Sequence, residues 1–218
     1  MKRRTILSSL VVFAVISALA VAGCDKQKNK QTTSQDAPLA AVNGMRSLQD
    51  FSSIKDDRER ALAIYQEIDA VLSHPRCANC HPAGDTPYQG NIPKPHQPLV
   101  VRGEDNFGAP GMRCGTCHGE ANFENVPGKP SWHLAPREMA WEGKTPGEIC
   151  AQIKDPERNG GKTLAQLTEH MQHDALVSYG WEPPEHLEPV PGSQALFGQL
   201  FQAWVDAGAP CPPAEKTR

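Results

Sequence analysis

A five-residue pattern, C-x-x-C-H, constrains this chain more than any other feature because it occurs twice, at residues 77–81 and at residues 114–118. Only 33 residues separate Cys80 from Cys114. That interval is too short for a complete domain with its own flanking helices, so we expect both patterns to lie in one domain. A tandem of two independent domains is the alternative.

Each pattern has the form that attaches haem in c-type cytochromes. Two thiols at this spacing add to the two vinyl groups of the porphyrin, and the adjacent histidine becomes an axial ligand of the iron. The predicted attachment residues are Cys77, Cys80, Cys114 and Cys117. The predicted iron ligands are His81 and His118.

Two other chemistries also use paired cysteines. Two C-x-x-C pairs can form a four-cysteine zinc site, but that site does not need a histidine directly after each pair. A thioredoxin-type redox pair is expected beside a βαβ pattern, and none surrounds either motif. We therefore predict two covalently attached haem c groups and keep zinc as the alternative.

With these two motifs, the chain resembles a dihaem cytochrome c. It is also similar to small proteins labelled isoquinoline 1-oxidoreductase subunits. The runs that carry the second resemblance are residues 77–82, 102–105, 132–136 with Met139 and Trp141, and 170–181. The first resemblance implies cytochrome c-like helices and Pro/Gly-rich loops wrapped around two covalent haems. The second implies electron transfer beside a molybdenum hydroxylase, since the chain has no sign of a molybdopterin domain of its own.

The composition favours an interior that is filled partly by something other than side chains. Hydrophobic residues make up 39% of the chain, which also contains 20 Pro and 18 Gly. About 45–50% is typical of globular domains. A single hydrophobic run, the many prolines and a net charge of -3 argue against a membrane channel, a long coiled coil and a nucleic-acid-binding protein.

The N-terminus is typical of an exported lipoprotein. A basic segment, an apolar stretch and a small-residue site predict a signal peptide over residues 1–23. The residues before Cys24 resemble the bacterial lipoprotein signal, and this resemblance implies that Cys24 is lipidated and tethers the chain to the periplasmic side of a bacterial membrane. An uncleaved membrane anchor is the alternative.

The remainder of the chain divides into two predicted segments. Residues 24–52 are polar and lack periodicity, which predicts the lipidated cysteine followed by a flexible tether. Residues 53–218 are predicted to form a single dihaem cytochrome c domain. Removing residues 1–23 takes away three basic residues and no acidic one, which changes the net charge from -3 to -6. That charge favours basic protein partners over nucleic acid.

Helical signals dominate this predicted domain. Apolar spacing predicts a helix over residues 55–73, and capping patterns predict further helix starts at Thr145, Thr163 and Ser193. Residues 82–112 contain six prolines and five glycines, which predicts an irregular loop. Because no segment alternates like a strand, we expect a mostly α fold with little or no β structure.

The sixth ligand of each iron is open, because histidine or methionine can occupy that position. His170 follows the apolar face of a predicted helix, and His96 lies in the proline-rich loop between the motifs. Met139 is the best thioether candidate. Weaker candidates are His74, Met112 and Met171.

Two cysteines remain after the lipid and haem assignments. Cys150 lies on a predicted helix and Cys211 lies in the C-terminal segment. In an oxidising periplasm we expect them to form a disulfide that holds this segment. Two buried free thiols are the alternative.

These assignments predict a membrane-tethered periplasmic dihaem cytochrome c. It would transfer single electrons between a dehydrogenase or hydroxylase and the respiratory chain. The alternative is a haem enzyme, such as a dihaem peroxidase or small reductase, with one open iron position. A haem sensor is less favoured because no output domain is visible.

Overall fold

A computed structural model describes residues 39–214 of the chain. A capping side chain determines where the first long helix begins. Helix α1 spans Asp57–Leu72 and begins where the Asp56 carboxylate accepts a hydrogen bond from the backbone N–H of Glu59. Such a cap satisfies an amide that has no partner within the helix. The predicted helix over residues 55–73 is confirmed.

Three later helices begin at the residues that the sequence predicted. Thr145 and Thr163 form capping boxes, and Ser193 accepts a hydrogen bond from a backbone amide of the last helix. The helices after α1 are α2 Pro75–Ala78, α3 Pro146–Lys154, α4 Leu164–His173, α5 Ala175–Ser178 and α6 Gln194–Asp206. None of the helices within the described range is both long and apolar enough to cross a membrane.

Strand structure within residues 39–214 is limited to one small antiparallel pair. Strand β1, Tyr88–Gln89, pairs with strand β2, Lys94–Pro95, so that Tyr88 lies opposite Pro95. The prediction of a mostly α fold with little β structure is therefore confirmed for this range.

The hydrophobic core lies where helix α6 packs against helices α1 and α4. Phe197, Phe201 and Trp204 on α6 are fully buried. Trp204 also contacts Tyr65 of α1, with ring centroids 5.3 Å apart. Burial of each large apolar side chain contributes about 1.5–3 kcal/mol of stability, so these aromatic contacts hold the three helices together.

The tether predicted over residues 24–52 is wrong in its second half. Met45 and Phe51 are buried in the core, with 1% and 0% of their surface exposed. A 3-10 helix spans Leu48–Phe51. This segment is part of the fold because its two large apolar side chains pack against distant residues, although they show no helical or strand periodicity. Residues 24–38, including Cys24, lie outside the described residues.

The C-terminal segment is held by a covalent bond to helix α3 and a hydrogen bond from helix α6. Cys150 and Cys211, the pair expected from the sequence, form a disulfide. The indole N–H of Trp204 donates to the backbone oxygen of Pro210 at 2.9 Å. Gly147 lies so close to this segment that a Cβ atom there would be 2.4 Å from the backbone oxygen of Pro213. Glycine at this position therefore permits the close approach.

Candidate functional site

The first motif follows helix α1 through a short connection into helix α2. His74 caps α2, since its ring nitrogen Nδ1 accepts a hydrogen bond from the backbone N–H of Arg76 at 3.2 Å. Cys77, Cys80 and His81 border one cavity of about 280 Å³, which we call the first-motif cavity. His74, a weaker ligand candidate, does not border this cavity and acts as a helix cap.

His81, the last residue of the first motif, is held at one ring nitrogen. Its Nδ1 lies 2.6 Å from the backbone oxygen of Met139, and Trp141 stacks on the imidazole with ring centroids 3.5 Å apart. A carbonyl oxygen only accepts hydrogen bonds, so Nδ1 carries the proton. Burial lowers the pKa of His81 to about 4, and the ring is therefore neutral at physiological pH. Its lone pair is then at Nε2, which is the form of histidine that binds a metal.

The second motif reproduces this arrangement on a short 3-10 helix, Cys114–Thr116. His118 Nδ1 lies 2.6 Å from the backbone oxygen of Pro127. Trp132 stacks on the His118 ring, with centroids 4.6 Å apart and planes 8° from parallel. Burial lowers the pKa of His118 as well. Both motif histidines are thus neutral rings with Nδ1 engaged and Nε2 available.

A second histidine borders the first-motif cavity from helix α4. His170 lies there with His81, and its Nδ1 is 3.2 Å from a carboxylate oxygen of Asp174, one turn later. The hydrogen bond from His170 lowers the pKa of Asp174 to about 2, so this carboxylate is ionised at neutral pH. A carboxylate that holds one ring nitrogen orients the other nitrogen toward a metal.

A larger cavity of about 500 Å³ lies beside the second motif, and we call it the second-motif cavity. Cys114, Cys117 and His118 border it, and His96 borders it from the proline-rich loop. His96 Nδ1 is 2.8 Å from the backbone oxygen of Pro98. His118 and His96 therefore each have one ring nitrogen engaged by a backbone carbonyl. His133 and His186 also border this cavity.

The separation of His96 and His118 can be compared with that of two axial ligands. The ring centroids of His96 and His118 are 5.9 Å apart. Two imidazoles on opposite sides of one metal, each bonded at about 2.0–2.1 Å as in zinc sites, have centroids roughly 6 Å apart. The centroid separation therefore leaves room for one metal atom, with the ring planes 64° apart.

Met139 contacts His81 through its backbone, and its expected role as a thioether ligand stays a prediction. Its side chain is buried and borders the first-motif cavity, but its backbone oxygen contacts Nδ1 of His81. A metal bound at Nε2 would lie on the opposite edge of the ring. Met139 is therefore placed to orient His81 from behind. The weaker candidates Met171 and Met112 border the first-motif and second-motif cavities, respectively.

The two cavities are neighbours. Four residues border both of them and form what we call the shared wall: Arg76, Cys80, His133 and Tyr179. Tyr179 also contacts Trp132 edge to face, with centroids 4.8 Å apart. The aromatic packing around His118 therefore extends into the shared wall.

The two thiols of the first motif are not in the state that thiolate chemistry requires. Desolvation raises the pKa of the Cys77 thiol to about 12 and that of the Cys80 thiol to about 11, so both are protonated at neutral pH, unlike reactive redox thiols. Within residues 39–214, no three His, Cys, Asp or Glu side chains are grouped to hold a metal ion. The four-cysteine zinc site is thus not formed. A haem iron does not need such a group, since the porphyrin supplies four of its ligands.

Sequence reasoning assigned no structural role to several residues of this site. Trp132 and Trp141 stack on the motif histidines, and Arg76 and Tyr179 belong to the shared wall. The two tryptophans, in a loop otherwise rich in proline and glycine, were a usable signal. Nothing in the local pattern indicated that Arg76 would be buried.

The geometry above stands without help from known proteins. No protein-family model, no curated protein and no solved structure matches the chain.

Proposed function

We propose that this chain is a dihaem c-type cytochrome that carries single electrons. One observation supports the proposal: the histidines that end the two motifs have the same surroundings. In each, the histidine donates from Nδ1 to a backbone carbonyl, stacks on a tryptophan and faces a cavity that a second histidine also borders. The bound haem supplies reversible one-electron chemistry, while the protein holds, orients and shields it.

The residues around the first-motif cavity have distinct roles in this proposal. Cys77 and Cys80 form the thioether bonds. His81 is one axial ligand, oriented by the Met139 carbonyl. His170 is the other, held by the Asp174 carboxylate.

Around the second-motif cavity the roles repeat. Cys114 and Cys117 form the thioethers, and His118 and His96 are the axial ligands. Both of these histidines are held at Nδ1 by backbone carbonyls. Two histidine ligands give a lower reduction potential than one histidine and one methionine, so we propose a pair of low-potential centres.

The shared wall supports electron exchange between the two sites. Cys80 belongs to the first motif but also borders the second-motif cavity. Groups bound in the two cavities would therefore be separated by little more than one layer of side chains. A tandem of independent domains would not place one residue against both sites.

The location and partners proposed here come from the sequence. Lipidation of Cys24 would hold the domain at the periplasmic face of a bacterial membrane. The redox partner would be a dehydrogenase or hydroxylase, with a molybdenum hydroxylase as the specific proposal, and electrons would pass on to the respiratory chain. A neighbouring gene for a molybdenum hydroxylase would support that partner.

The first experiment counts haems. The full-length chain is produced in a bacterium that attaches haem c, and the pyridine haemochrome spectrum is compared with the protein concentration. We expect two haems per chain. The double variants Cys77→Ser/Cys80→Ser and Cys114→Ser/Cys117→Ser should each retain one, and each serves as the control for the other. A colourless protein that contains zinc would refute the proposal.

The second experiment identifies the axial ligands. Near-infrared magnetic circular dichroism of the oxidised protein should show histidine–histidine ligation at both irons. His170→Met and His96→Met should each convert one iron to histidine–methionine ligation, whereas Met139→Leu should leave both spectra unchanged. A high-spin iron that binds cyanide rapidly and turns over peroxide would favour the haem enzyme instead.

A further inference from the structure

Arg76, in the shared wall, is a buried cation. Only 3% of its surface is exposed. Its guanidinium donates to the hydroxyl of Tyr179 at 3.1 Å, to the backbone oxygen of Gly90 at 2.5 Å and to the side-chain oxygen of Asn91 at 3.2 Å. All three acceptors are neutral, so none of them balances the charge.

Arg76 forms no ion pair with any carboxylate of residues 39–214. No carboxylate there lies within 4.0 Å of it, and its Nε has no hydrogen-bond partner. The other buried arginine, Arg102, has the Asp85 carboxylate at 3.6 Å. Arg113, which precedes the second motif as Arg76 precedes the first, is half-exposed and forms an ion pair with Asp105 at 2.7 Å. Arg76 therefore differs from Arg102 and Arg113, each of which has a carboxylate within ion-pair distance.

Burying a guanidinium without an anion is unfavourable by several kcal/mol. Burial leaves little access from bulk solvent, and the open space next to Arg76 is that of the two cavities. An anion that compensates it must therefore belong to what occupies a cavity. The haem proposed for each cavity carries two propionate carboxylates, and a planar guanidinium binds a carboxylate through two parallel hydrogen bonds.

We propose that Arg76 binds a haem propionate at the shared wall and that its charge raises the reduction potential of the adjacent haem. This inference rests on the proposed dihaem function. A positive charge near the iron stabilises the reduced form, which carries one positive charge fewer. Loss of Arg76 would leave the propionate uncompensated and lower the potential.

The test compares Arg76→Gln with the matched control Arg113→Gln. Both variants remove the arginine before a motif. Arg113 also borders a cavity, but it is half-exposed and paired with Asp105, so solvent screens its charge. In potentiometric titrations followed by the haem spectrum, Arg76→Gln should lower the electron affinity of at least one haem tenfold or more, which equals about 59 mV for a one-electron couple. Arg113→Gln should leave both potentials close to those of the wild type.

A second variant keeps the test decisive if Arg76→Gln does not fold. Arg76→Lys retains the charge but replaces the two-donor fork with a single ammonium group. We expect it to bind two haems and to shift the propionate bending band in the resonance Raman spectrum relative to the wild type. An unchanged band in Arg76→Lys, or an unchanged potential in Arg76→Gln, would overturn the role of Arg76.

These outcomes separate the inference from the proposed function. Two haems per chain in the wild type, with potentials that do not respond to Arg76→Gln, would leave the dihaem proposal intact and remove only the propionate contact. Absence of covalent haem from the wild type would overturn both proposals.

Discussion

Removal of the disulfide between Cys150 and Cys211 should destabilise the protein strongly. The bond joins residues 61 positions apart in sequence. In the chain-entropy treatment, closing a loop of about 15 residues contributes about 3 kcal/mol and a loop of about 100 residues about 4.7 kcal/mol, so this bond contributes about 4 kcal/mol at most. The double variant Cys150→Ala/Cys211→Ala should therefore lose about 2–4 kcal/mol of unfolding free energy.

The loss of unfolding free energy can be as small as about 2 kcal/mol because other contacts still hold the C-terminal segment. Lys154 donates to the backbone oxygen of Ala209 at 2.6 Å, and Trp204 donates to that of Pro210 at 2.9 Å. These hydrogen bonds keep the segment in place after the covalent bond is lost. The double variant should therefore retain the native far-ultraviolet circular dichroism spectrum.

Urea unfolding followed by circular dichroism measures the effect. With a slope of about 2 kcal/mol per molar urea, the midpoint should fall by about 1–2 M. Cys150→Ala and Cys211→Ala alone should each lose nearly as much as the double variant, because either change breaks the same bond. The reasoning would be refuted if the losses of unfolding free energy in the two single variants added up to the loss in the double variant. A fall of the double variant's urea midpoint by less than about 0.3 M would also refute it.

Three further predictions concern single side chains. Gly147→Ala should lose about 1–3 kcal/mol in urea unfolding because its Cβ would collide with the Pro213 backbone oxygen, whereas Gly84→Ala, which has open space around it, should be nearly neutral. Asp174→Asn should lose about 1 kcal/mol at neutral pH, since this partly exposed carboxylate has a folded pKa near 2, below its usual 3.8. The difference from the wild type should disappear as pH falls from about 4 to 2, where the aspartate becomes protonated. His74→Ala should lose about 1 kcal/mol of unfolding free energy through its helix cap without changing the haem count; loss of a haem would contradict the capping role.

Local chemistry explains what the sequence predicted well. The start of a helix depends on one capping side chain and the amides one turn away, so Thr145, Thr163 and Ser193 indicate helix starts without knowledge of the rest of the fold. The same holds for the C-x-x-C-H motifs, in which neighbouring residues carry the whole signal. The pairing of Cys150 with Cys211 followed by elimination from the other cysteines.

Non-local packing explains what the sequence could not predict. Met45 and Phe51 are buried by residues far away in the chain, so their own polar surroundings indicated a tether. The orientation of the Met139 backbone toward His81 depends on how a long loop returns to the first motif. Burial of Arg76 depends on the loop between the motifs and on Tyr179, which supply the acceptors of its guanidinium.

The position of Cys80 determines whether the two motifs can be separated into independent parts. Because Cys80 belongs to the first motif and borders the second-motif cavity, that cavity lacks part of its wall without the first motif. Residues after the second motif, including Ala135 and Trp141, in turn border the first-motif cavity. A fragment cut between the motifs would expose apolar surface on both halves, and a second copy of either half would not supply the missing side. The 33 residues between Cys80 and Cys114 therefore cannot be treated as an exchangeable linker.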